Sequence, residues 1–168
     1  VYPSVAFKEL HFTHHRYTHI PGKDPEISFG NHPMPYVIST LPSYLGWLTG
    51  LPLLLFKIMM TINGALGMLE PIRKLIYPFI RPQVRLKLFL ESWVLILVYG
   101  GIIYLAVNVD KSYWALIMGQ VVGHSLLSSY LTAEHNGLPH EGDILDKTRS
   151  IRATGFVKLL MWNMTYHA

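Results

Sequence analysis

Three long apolar stretches limit what this chain can become. They run Leu41–Ile62 (LPSYLGWLTGLPLLLFKIMMTI), Ser92–Val109 (SWVLILVYGGIIYLAVNV) and Tyr113–Thr132 (YWALIMGQVVGHSLLSSYLT). A helix crosses a bilayer with about 20 mostly apolar residues. The second and third stretches have that length, and only Asp110, Lys111 and Ser112 join them, which predicts an antiparallel transmembrane hairpin. Trp93, Tyr113 and Trp114 fall near the ends, where amphipathic rings settle at a membrane surface. Composition agrees. Only 14% of the residues are charged, against about 25% in a soluble domain. The reading is one all-α integral membrane domain over residues 1–168, with interfacial helices and a cytosolic histidine-rich cap.

The first stretch is different. Pro42, Pro52, Gly46 and Gly50 interrupt it and Lys57 charges its second half. It reads as a kinked span or as a segment that dips in and returns. Basic residues orient the hairpin. Arg73, Lys74, Arg81, Arg85 and Lys87 precede it, Lys147, Arg149, Arg152 and Lys158 follow it, and the tip holds only Lys111. By the positive-inside rule both ends face the cytosol. Arg73–Leu90 mixes basic and apolar residues and reads as lying in the interface. The net charge of +4 is scattered between apolar runs, which suits a membrane surface rather than nucleic acid. The absence of cysteine excludes disulfides and thiolate metal sites. Met59, Met60, Met68, Trp47 and Phe56 read as lipid contact or bundle packing.

Beside this apolar chain stands HFTHHRYTH, residues 11–19, which holds four of the nine histidines. Ser4 is a suitable N-cap, and Pro21 and Gly22 end any helix after about Thr18. On a helix from Val5 to Thr18, His11, His14 and His15 are spaced i, i+3, i+4 and share a face. His19 continues the row only if the helix runs one residue further. Imidazoles so arranged can hold iron, zinc, copper or nickel. The same spacing also arises by chance on a solvated helix.

Two further histidines fall at ends of apolar or helical segments. His135 sits in AEHNG where the third stretch ends, and Asn163 and His167 in NMTYHA are spaced i, i+4. For these to meet the first cluster, all must lie on one side of the membrane. The hairpin restores the side, so a shared site requires that Leu41–Ile62 not cross. His124 lies inside the third stretch, eleven residues before His135. That is a rise of about 16 Å, too far for a common coordination sphere. It reads as a hydrogen bond between helices near Ser125 or Ser128. His32 and His140 carry no assignment.

The pattern resembles the integral-membrane fatty acid desaturase and hydroxylase superfamily, whose members carry histidine boxes around a di-iron centre at the cytosolic membrane surface. His11-Phe12-Thr13-His14-His15 matches its HxxHH second box, and IPGKDPE after it resembles the usual continuation. His135 matches the ligand after the last transmembrane helix, and Asn163-Met164-Thr165-Tyr166-His167 resembles the start of the third box. The first box and an earlier hairpin are absent, and the third box stops at Ala168, so the chain reads as a piece of a longer protein, inactive by itself.

The resemblance implies His11, His14, His15, His135 and His167 as metal ligands, with His19, Asn163, Asp24 and Glu134 around them. Glu26, Asp143 and Asp146 are further acids that could anchor an imidazole. It implies two iron ions, molecular oxygen as co-substrate, and a reduced donor such as cytochrome b5 or ferredoxin, for which the Arg73–Lys87 segment offers a basic surface. The reaction would be oxygen-dependent desaturation of a lipid acyl chain. The site would lie in the endoplasmic reticulum of a eukaryote or in the inner or plasma membrane of a bacterium. The alternative is a hydroxylase or ketolase of the same superfamily acting on a carotenoid, alkane or sterol. Outside it stand a non-enzymatic haem-binding membrane protein, which needs a second histidine at the depth of His124, and a metal transporter, which the clustering of histidines outside the apolar stretches disfavours.

Overall fold

The computed structural model describes residues 2–29, 32–33, 40–135, 138–139, 142–146, 149 and 152–160. Among them the chain is helical apart from one short antiparallel pairing of Ser28–Phe29 (β1) with His32–Pro33 (β2). The helices are α1 (Ser4–Tyr17), α2 (Leu41–Leu48), α3 (Leu51–Ala65), α4 (Glu70–Ile76), α5 (Arg85–Asn108), α6 (Trp114–His135) and α7 (Gly155–Leu160).

The spans differ from expectation. α5, with the 3-10 turn before it, runs Pro82–Asn108. It is the one single helix among the described residues that is long and apolar enough to cross a bilayer. Its 27 residues rise about 40 Å, so it begins well before the expected Ser92, with Arg85, Lys87 and Glu91 in its first turns. α6 has the length, at 22 residues, but not the apolarity. Gln120, His124, Ser125, Ser128 and Ser129 interrupt it. Part of that polarity is buried, for His124 and Ser128 are shielded from the surface.

α2 and α3 together are apolar enough for one span, but they bend by 57°. The break falls at Thr49–Gly50, where Gly50 takes a left-handed φ of +71°. Two prolines start the two helices, and Thr40 caps α2 by accepting from the Ser43 N–H. The bend seats α6. A Cβ on Gly50 would overlap the backbone of His124 and Ser125. The Ser125 hydroxyl donates to the Leu48 carbonyl at 2.6 Å, satisfying an acceptor at the helix end. The Trp47 indole donates to the Ser128 carbonyl at 3.1 Å. The expected interhelical bond of His124 is therefore made by Ser125. The His124 Nδ1–H turns back to the Gln120 carbonyl on its own helix, at 2.6 Å.

α3 and α5 approach closely through small residues: a Cβ on Gly64 would meet Ser92 and Leu88. Trp93 closes the crossing with a bond from its indole N–H to the Ala65 carbonyl. Further along, α3, α5 and α6 form a half-open apolar cleft of about 270 Å³ lined by Leu54, Ile58, Leu95, Tyr99 and Val121 among others.

The best-packed region lies at the Arg85 end of α5. Val5, Ala6 and Leu10 of α1 meet Met60 of α3, Met68, Tyr77, Phe79 and Ile80 of the connecting segments, and Leu88 of α5. The expected interfacial segment Arg73–Leu90 is thus broken into α4, a loop and the start of α5, and its Tyr77 and Ile80 face the protein interior. Burying them docks α1 across the ends of α3 and α5, which fixes where the histidines stand.

Candidate metal centre

α1 ends at Tyr17, one residue short of the expected Thr18, and is not capped by Ser4. Pro3 occupies the cap position and no side chain from the local sequence caps the helix. His11, His14 and His15 lie within its last two turns. His11 and His15 turn toward each other, with their Nε2 atoms 3.1 Å apart. Two nitrogens binding one ion at about 2.1 Å and a near-right angle stand about 3 Å apart. Phe7, one turn earlier, stacks on His11 with ring centroids 5.2 Å apart. The His14 ring centroid lies 6.4 Å from that of His11 and 5.5 Å from that of His15.

His14 is fully buried, and so is Asp24. Both carboxylate oxygens of Asp24 stand 3.0 Å from His14 Nδ1. The same carboxylate accepts from the backbone N–H of His19 at 2.7 Å and of Glu26 at 2.9 Å. An imidazole that donates from Nδ1 to a carboxylate presents Nε2 as its electron-pair nitrogen, the arrangement that orients a metal-binding histidine. Glu26 adds a second carboxylate 3.7 Å from Nδ1, and burial pushes its carboxyl pKa up.

Electrostatics keep the pair neutral. The pKa of His11 is lowered by burial and then by His15 and His14; that of His15 is lowered by burial and His14. Three adjacent imidazoles disfavour protonation, and the neutral ring is the form that binds metal. His19 does not continue the helical row. It leaves the helix at φ +60°, is buried, and uses its backbone N–H to close the loop onto Asp24.

Glu134 and His135 occupy the last turn of α6, with their side chains outside the described set. Asn163 and His167 lie outside the described residues. Among the described residues, no three His, Cys, Asp or Glu side chains converge closely enough to hold an ion. Asp143 and Asp146 belong to a turn of their own, where the Asp143 N–H donates to Asp146.

The sequence of the fatty acid desaturase family matches residues 1–168, the whole chain. The chain belongs to the fatty acid desaturase family. No curated protein and no solved structure matches it. Family membership makes it a desaturase-type oxidoreductase, membrane-associated, of a family that acts on lipid acyl chains and is typically di-iron.

The chain also contains site-shaping residues that its sequence did not flag. Glu91 of α5 accepts the Val5 N–H at 3.0 Å and the Ser4 hydroxyl at 2.9 Å, supplying the missing cap of α1. Arg81 clasps the buried Glu9 of α1 through two bonds of 2.6 and 2.7 Å. It lowers the Glu9 pKa, and Glu9 raises that of Arg81. These pairs join residues more than seventy positions apart, and no local pattern announces them. Phe7 alone had a readable signal, its i, i+4 spacing to His11.

Proposed function

We propose that this chain supplies part of a histidine-ligated di-iron site in an oxygen-dependent lipid desaturase, as one domain over residues 1–168. The observation that carries the reading is the 3.1 Å approach of the His11 and His15 nitrogens. The buried, carboxylate-anchored His14 beside them supports it. In this reading His11, His14, His15, His135 and His167 are the ligands from this chain. The described donors fit the metal as a partial set: neutral imidazoles at the spacing of two ligands of one ion, and a third oriented by Asp24.

When bound, iron would supply the activation of oxygen needed to attack an unactivated C–H bond. The chain's own residues would do the rest. Asp24 holds the proton on His14 Nδ1 and fixes the ring. Phe7 holds the plane of His11. The apolar packing of α1 on α3 and α5 supports the reading, because it holds α1 against the apolar helices that a lipid chain would adjoin. His19, Asn163 and Glu134 would stand around the ligands rather than bind metal.

The oxygen reaction needs electrons from a reduced partner such as cytochrome b5 or ferredoxin. Four of the five basic residues of Arg73–Lys87 are already paired with acids on this chain: Arg73 and Arg85 with Glu70, Arg81 with Glu9, and Lys87 with Glu91. Their structural role is therefore internal, and an acidic donor would meet a surface less basic than the sequence suggests. The cytosolic placement of the site rests on the positive-inside distribution of charge.

The test uses the full-length enzyme with iron, a reduced donor and acyl substrates. Wild type should contain iron and form an unsaturated product, and His11→Ala and His15→Ala should each lose both. Wild type without bound iron would overturn the reading. A hydroxylated product with iron present would select the hydroxylase alternative.

A further inference from the structure

We propose that Glu91 is a positioning residue for the histidine site: a carboxylate on the spanning helix that fixes the start of the helix carrying His11, His14 and His15. The inference rests on the iron reading above.

The need for such a residue follows from the sequence. The first backbone N–H groups of any helix lack intrahelical partners. α1 has Pro3 at its cap position and no acid in its first turn, so it can neither cap itself nor complement its own dipole. Glu91 does both from another element. One carboxylate oxygen takes the Val5 N–H and the other the Ser4 hydroxyl. A negative charge thus sits against the positive end of α1. Among the described residues its other ionic neighbour is the exposed ammonium of Lys87, 3.8 Å away.

Position gives the contact its consequence. From Val5 to His11 the helix rises about 9 Å, and a helix segment of that length moves as a rigid body. Glu9, between them, is held by Arg81. α1 is therefore tied at its start to α5 and at its middle to the loop before α5, and a freed first turn would pivot about the second tie. Displacements of about 1 Å at a metal or catalytic group are costly. Through Glu91, the depth and rotation of the spanning helix set where the imidazoles stand.

The test compares full-length wild type, Glu91→Ala, Glu91→Gln and Lys87→Met, the last as a surface control. Two readouts are taken: Fe²⁺ affinity, and amide hydrogen exchange in the metal-free protein. Glu91→Ala should lose protection across residues 5–15 while α5 and α6 stay protected, and should bind Fe²⁺ about tenfold more weakly, the usual scale for an outer partner of a metal site. Glu91→Gln, which keeps one acceptor oxygen, should recover most of both, and Lys87→Met should match wild type. Unchanged exchange and affinity in Glu91→Ala would overturn the proposal. So would protection lost equally in every helix, which marks general destabilisation. If wild type binds no Fe²⁺, the iron reading falls, and exchange alone decides the clamp. Arg81→Met is the second variant should Glu91→Ala fail to fold, with the same localised loss expected.

Discussion

Asp24 carries the densest set of interactions at the site. Its carboxylate receives the His14 ring N–H and the backbone N–H of His19, both buried, and the part-buried backbone N–H of Glu26. Removing it strands these donors, each costing about 1–3 kcal/mol. Asp24→Ala should therefore lower stability by on the order of 3 kcal/mol or more, read as a fall in the unfolding midpoint of the purified protein. It should also weaken iron binding by about tenfold or more. Asp24→Asn keeps the volume but aims an amide N–H at a donor, so it should rescue only part of the loss. At the surface, Asp143→Asn should change the unfolding midpoint little, because that residue is exposed and bonds within its own turn.

Among the elements, the break between α2 and α3 has a specific steric cause. Gly50 combines a left-handed backbone with an approach of the α6 backbone so close that a Cβ would overlap it. Gly50→Ala adds strain at φ +71° and a clash with His124 and Ser125. It should destabilise by more than about 1 kcal/mol and loosen the Trp47 bond to α6, detectable as a shift in tryptophan emission. The α4 cluster has a pH signature. Arg73, through its hydrogen bonds, and then Arg85 lower the Glu70 carboxyl pKa from 4.5. A carboxyl whose folded pKa is depressed stabilises the fold above its unfolded value, and that contribution is lost as pH falls through the folded pKa. Glu70→Gln should therefore flatten the stability profile below about pH 4.5 and leave the profile at neutral pH nearly level, because Glu70 is largely exposed and its pairs are screened.

For the whole molecule the consequence is topological. If α5 crosses and the bent α2–α3 pair does not, the histidines of α1 share a side with the C-terminal end of α6 only if α6 returns the chain. The absence of cysteine makes this directly testable. Single cysteines at Lys8, Lys74 and Ser112 should separate under an impermeant thiol reagent applied to sealed vesicles. Lys8→Cys and Lys74→Cys should label from one face and Ser112→Cys from the other. Labelling of all three from one face would mean that α5 does not cross, and the hairpin reading would fall.

The helices α1, α5 and α6, an interruption of the Leu41–Ile62 stretch and the shared face of His11, His14 and His15 were all legible in the sequence. Each is a local matter of apolar run length, proline and glycine placement, or helical spacing, and each depends on residues within a turn or two. The family was legible for the same reason, in the order and spacing of short motifs. Only the tertiary structure decided that α6 packs His124 and Ser128 inside the protein. It also decided that Tyr77 and Ile80 build a core instead of facing lipid, and that α1 is capped by Glu91 and clasped by Arg81. Those outcomes depend on groups far apart in the chain competing for the same buried donors and acceptors. Their partners are fixed when the apolar faces dock, and no window of sequence contains both members of a pair.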